Sequence, residues 1–123
     1  MRGFHDLEIY RIAFDLAVRV HKLSLDLPKY ELYEQGSQVR RSSKSVKDQI
    51  AEGYGRRDYK AEFVKYLIYA QASCDECLSQ IEMIVTIYLE KKGWSELLNE
   101  YDHLGKKINL FLQYVQSSWK SSK

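Results

Sequence analysis

The sequence predicts an all-α protein, an antiparallel up-and-down four-helix bundle forming one domain over residues 1–123. Three observations point there. Apolar residues recur at alternating three- and four-residue steps in four segments, and no segment alternates with the period of two that a strand would show. One Pro and six Gly leave little material for turns, so few, long elements are expected. At 123 residues the chain has the length of a single domain, with enough core to fold without metal or disulfide.

The first helix is expected over about 6–27. Leu7, Tyr10, Phe14, Ala17 and His21 make its stripe, with Val18 and Leu25 alongside. Pro28 ends it, because the residue before a proline is pushed out of helical geometry. The second, about 31–52, carries a weakly apolar stripe of Leu32, Gly36, Val39, Ser43, Val46 and Ile50, with Gly53 placed for a left-handed C-terminal cap. Its small residues would let a neighbouring helix come close.

The third helix, about 58–92, is the longest. Phe63, Leu67, Ala70, Cys74, Cys77, Ile81, Ile84 and Tyr88 keep the heptad step unbroken, Asp58 is a suitable N-cap, and Gly93 closes the run. Such a helix would extend about 50 Å at about 1.5 Å per residue. The fourth, about 95–119, runs from a Ser95 cap through Leu97, Tyr101, Leu104, Ile108, Phe111 and Val115, fraying in the SSWKSSK tail.

One segment exceeds what a lone bundle can bury. Ile81, Met83, Ile84, Val85, Ile87, Tyr88 and Leu89 are apolar nearly all round the third helix, while a bundle helix hides one face. Shelter from the turn at Trp94 is the plain explanation. Self-association is the preferred one, since exposed apolar patches mark interfaces. Met83, Ile84, Ile87 and Leu89 are the candidate oligomer contacts.

Several chemistries are disfavoured. Glu100 and His103 form an E-x-x-H pair, but a di-metal bundle needs a second such pair and two more inward carboxylates, and neither His5 nor His21 has a Glu three residues before it. Cys74 and Cys77 spell C-x-x-C, yet lie mid-helix on the core stripe with no second pair to complete a zinc site. They read as small buried hydrophobes. Gly53-Tyr54-Gly55 lacks the strand and Lys of a phosphate loop. His21 reads as a satisfied core histidine. No catalytic residues, metal or cofactor are expected, and the chain is not read as an enzyme. Met1-Arg2-Gly3-Phe4 opens no apolar leader, and no apolar run approaches the ~20 residues of a membrane span. With only two cysteines, a cytoplasmic protein with no membrane association is the plain expectation.

Charge is local. The net charge is only +2, but Gln38–Phe63 holds seven cations against four carboxylates, so the remainder sums to −1. Arg40, Lys44 and Lys47 share one face of the second helix at i, i+4 and i+7. Arg41 is turned toward the core edge, where with Glu52 it would join an internal polar layer. Arg56 and Arg57 stand before the third helix, where the dipole disfavours cations unless an anion binds there. Arg40 and Arg56 are about 20 Å apart along a helix, so they form a stripe or two patches and no single pocket. The plain alternative is that Arg40 and Arg41 pair with Glu52, Glu62, Glu76 or Asp48 and that the lysines are merely solvated.

The stretches FHDLEIYRIAFDLA, LPKYELYEQGSQVRRSSKSV, QIAEGYGRRDYKAEFVKYLIYAQAS and DECLSQIE resemble the four-helix bundle protein family, also called the 23S rRNA intervening-sequence protein family. The resemblance covers about Phe4 to Glu82. Its core is Gln38, Arg40, Arg41, Ser42, Ser45, Ile50, Ala51, Glu52, Gly53, Glu62, Phe63, Tyr66 and Leu67. Gln49, where the family commonly has Asn, and Tyr10, often Trp, are mild departures. The resemblance implies a bundle assembling as a ring-like homopentamer with an RNA connection. A related branch, the accessory proteins of diversity-generating retroelements, binds a reverse transcriptase and nucleic acid. No catalytic residues come with it.

The resulting expectation is a non-enzymatic oligomer presenting basic surface to RNA or DNA, with Arg40, Lys44, Lys47, Arg56 and Arg57 as the contacts. The alternative is a protein-interaction scaffold that docks a protein partner without nucleic acid. A metal- or ligand-binding bundle is a third class, which metal content would test.

Overall fold

The computed structural model describes residues 3–121. A short 3-10 turn (Phe4–Asp6) leads into α1 (Glu8–Ser24), and a second 3-10 segment (Lys29–Tyr33) leads into α2 (Gln35–Gly55). The bundle is completed by α3 (Lys60–Ile87) and α4 (Trp94–Ser118). α2 packs on α1 and α3, and α4 closes the bundle against α3 and α1, so α1 and α3 occupy diagonal corners. The four-helix, all-α architecture is the expected one.

The helices differ from expectation chiefly at their ends. α2 starts later than expected because Glu31–Tyr33 stays in the 3-10 segment. It also runs through Gly53, which is helical and buried, to Gly55. Gly53 is a point of close approach: a Cβ there would lie 3.0 Å from Tyr66 Cβ and 3.4 Å from Phe63 Cδ1. Its role is to admit α3, so it is no C-terminal cap. Tyr59, with extended backbone, precedes α3 in place of Asp58. α3 stops at Ile87, five residues early, since Tyr88 leaves helical geometry and buries its ring. There its hydroxyl donates to Glu31 Oε2 at 2.6 Å and meets Tyr30 OH at 3.2 Å. That bond raises the Tyr88 pKa. Gly93, left-handed at φ 96°, precedes α4 in place of Ser95.

The core also corrects the first stripe. Ile9, Ala13, Leu16, Ala17 and Val20 face inward, while Phe14, Val18, His21 and Leu25 are exposed and Tyr10 is half-buried. The tail does more than fray. Trp119 packs edge-on against Phe63, centroids 5.2 Å apart, and its Nε1 donates to Arg57 O at 3.0 Å.

Candidate nucleic-acid interface

α2 carries most of the candidate cations, and its orientation decides what they can reach. Val39, Val46 and Ile50 are fully buried, which fixes the inward direction of the helix. At about 100° per residue, Arg40 and Lys47 then fall toward α1, while Lys44 and Arg41 point outward, Lys44 on the α1 side and Arg41 on the α3 side.

Arg40 is half-buried and structural. Its Nη1 donates to Ser24 Oγ at 2.8 Å and its Nη2 to Leu32 O at 2.6 Å, tying α2 to the end of α1 and to the 3-10 segment. It is withdrawn from the candidate contacts because its guanidinium is spent inside the fold. The expected roles of the adjacent arginines are therefore reversed. Arg41 is exposed, with no ion pair or hydrogen bond among the described residues. It edges a polar groove of about 480 Å³ between α2 and α3, lined also by Gln38, Ser42, Ser45, Glu76 and Gln80.

Glu52 is likewise exposed and pairs with Arg56, so the internal polar layer is made of other residues. In that layer Ser42 Oγ donates to Gln80 Oε1 at 2.6 Å and meets Cys77 Sγ at 3.3 Å. Ser45 Oγ meets Ser73 Oγ at 2.9 Å.

Lys44 is exposed and unpaired among the described residues. Lys47 pairs with Asp48 at 2.6 Å and lies 5.9 Å from the Phe14 ring centroid. Both line a groove between α1 and α2 whose floor is Phe14, Ala17 and Val18, joined by His21 and Lys22. Lys22 was absent from the sequence-based candidates. Its signal was the doubled apolar pattern of α1, since a helix with two apolar stripes presents one of them, with its flanking charges, to the outside.

Arg56 and Arg57 are explained by the extended α2. Following Gly55, they stand at the negative end of the α2 dipole, where cations are favoured. Arg57 Nη1 donates to Tyr54 O at 3.0 Å and its guanidinium lies 4.3 Å from the Tyr54 ring centroid. Arg56 lies 3.4 Å from Glu52 and 3.5 Å from Glu62, with Tyr66 beneath it at 4.8 Å. No anion is needed to account for either.

Of the candidate oligomer contacts, Met83, Ile87 and Leu89 are exposed. Ile84 is not: at 0% exposure it belongs to the core and is withdrawn as an interface residue. Burial pushes the Cys74 and Cys77 thiols up to about 12, holding both neutral at physiological pH. Glu100 pairs with Arg19, and among the described residues no three His, Cys, Asp or Glu side chains are grouped to hold a metal. No helix among those residues is long and apolar enough to cross a membrane.

The fold and this surface define a small all-α bundle with a cationic α2 ridge and apolar flanks. The family profile described as 23S rRNA-intervening sequence protein matches residues 5–110, and the chain belongs to that family. A comparison with curated proteins finds no match.

Proposed function

We propose that the protein is a non-enzymatic, self-associating bundle of the cytoplasm that binds RNA through the outer ridge of α2. Arg41 and Lys44 are the primary phosphate contacts, with Lys47 and Lys22 beside them. The observation that carries this reading is that Arg41 and Lys44 have neither an ion pair nor a hydrogen bond among the described residues, whereas Arg40, Lys47, Arg56 and Arg57 are each held by side chains or backbone carbonyls of the bundle. The family's tie to intervening sequences of rRNA supports RNA as the polyanion. Self-association is supported by the exposed Met83, Ile87 and Leu89, and a pentamer by the family resemblance alone.

The test is fluorescence anisotropy with a labelled RNA hairpin. Arg41→Ala/Lys44→Ala should weaken binding several-fold, and Arg56→Ala should leave it nearly unchanged. Equal affinity of the double variant and the parent would overturn the assignment. The exposed Phe14, Val18 and Leu25 favour a second reading, a scaffold for a protein partner. Failure to bind RNA even at low salt would select it.

A further inference from the structure

The groove edged by Arg41 also holds an unpaired carboxylate, and the two together define a chemistry. Its floor is small: Ser42 and Ser45 of α2 meet Cys77 and Ser73 of α3, at 3.3 Å and 2.9 Å. Longer side chains stand above that floor as walls, Gln38 and Arg41 on one side and Glu76 and Gln80 on the other. The volume of about 480 Å³ lies within the range of small-ligand sites.

The α3 wall offers groups that the fold leaves unused. Ser42 Oγ donates to Gln80 Oε1 at 2.6 Å, which orients that amide. Its Nε2, with two N–H donors, has no hydrogen bond among the described residues. Glu76 is exposed and has neither an ion pair nor a hydrogen bond among those residues, although Arg41 lines the same groove. A carboxylate beside phosphate contacts weakens the hold on a bare polyanion. Its place there suits a ligand that also donates hydrogen bonds.

Glu76 and Gln80 are one helical turn apart on α3, with Cβ atoms about 5–6 Å from each other. Side by side they present two acceptor oxygens and a donor, across the width of one base edge. The Watson–Crick edge of guanine is the complement. Its N1–H and N2–H can donate to the two carboxylate oxygens while its O6 accepts from the amide. Adenine, cytosine and uracil each carry a single donor group on that edge, so guanine alone engages both oxygens. Such charge-assisted, two-point contacts are the strong ones. The edge is free only where the base is unpaired, in a loop or bulge.

We propose that the α2–α3 groove takes one unpaired guanine of the bound RNA, read by Glu76 and Gln80. This rests on the RNA reading above and adds base recognition to it. Arg41 keeps its phosphate role at the rim of the same groove.

The test is fluorescence anisotropy of the full chain with RNA hairpins whose loops are uridine except at one position. That position is guanine, inosine, adenine or uridine. The guanine hairpin should bind about tenfold more tightly than the uridine one, a discrimination of the size that two-point base contacts give. Inosine, which lacks the N2 amine, should fall between them. Glu76→Gln removes no bond within the fold, so it should bind the uridine hairpin at least as tightly as the parent does, and lose the guanine preference. Arg41→Ala/Lys44→Ala should weaken every hairpin by a similar factor and keep the preference.

A parent that binds every hairpin equally would overturn the base site while leaving the α2 ridge standing. A guanine preference that survives Glu76→Gln would also overturn it. A parent that binds no hairpin would overturn both readings. Guanosine 5′-monophosphate binding as tightly as the guanine hairpin would make a free nucleotide the occupant and overturn the assignment to RNA.

Discussion

Arg40 and Arg41 are adjacent, chemically identical and assigned opposite roles, which makes their alanine variants a sharp comparison. Arg40→Ala deletes two charge-assisted hydrogen bonds, to Ser24 Oγ and Leu32 O, and leaves that carbonyl without its donor. Ser24 Oγ keeps its bond to His21 O, so the loss centres on the link to the 3-10 segment. Bonds to charged groups contribute about 1.5–3 kcal/mol each, and partial exposure lets water replace some of this, so about 2–3 kcal/mol is expected in total. For a chain of this size that corresponds to a melting point about 8–12 °C lower. Arg41→Ala, which removes no hydrogen bond or ion pair among the described residues, should stay within about 0.5 kcal/mol. Thermal unfolding followed by circular dichroism measures both, and RNA affinity below the transition should fall only for Arg41→Ala. A stable Arg40→Ala variant with weakened RNA binding would refute the reasoning, since Arg40 would then be facing solvent and phosphate.

Four further outcomes follow from the packing. Gly36→Ala should destabilise by about 1–3 kcal/mol in urea titration, because its Cβ would sit 2.6 Å from Glu31 O and the backbone there must shift. Cys74 and Cys77 should resist a thiol reagent at neutral pH in the folded protein and react on unfolding, burial having pushed both pKa values up to about 12. For the same reason stability should decline as pH rises above the unfolded thiol value of 9.0: the unfolded state loses protons that the folded state retains, at up to about 1.4 kcal/mol per pH unit for each thiol. Trp119→Ala should lower the melting point although it lies beyond α4, since the indole packs on Phe63 and donates to Arg57 O.

The number and order of the helices were legible because Phe63, Leu67, Ala70, Cys74, Cys77 and Ile81 hold one seam that no other secondary structure could use. Direction was less legible in α1. Its stripes Ile9–Ala13–Leu16–Val20 and Tyr10–Phe14–Val18 are both apolar, and the larger side chains proved to be the outward ones. Gly53 suggested an ending because glycine often caps helices, but close packing against Phe63 and Tyr66 retains it inside α2. That three-residue extension also relocated Arg56 and Arg57 from the start of one helix to the end of another. Their apparent conflict with the dipole thereby disappears. Arg40 and Arg41 could not be separated from the sequence, because a 100° turn decides which one meets Leu32 O, and the inward direction of α2 is set by its partners. The candidate site was thus readable as a basic region around α2, while its membership was not.

The central claim is that assembled copies present the α2 ridge to RNA. The measurement that tests it most directly is the salt dependence of RNA hairpin binding by the parent and by a Met83→Gln/Ile87→Gln variant, which loss of these exposed apolar side chains should make monomeric. Each phosphate contact contributes about −0.7 to −0.9 to the slope of log K against log salt. The account predicts a steeper slope for the assembly than for the monomer, and a flatter one for Arg41→Ala/Lys44→Ala. Equal slopes in all three proteins, or no binding at low salt, would contradict it.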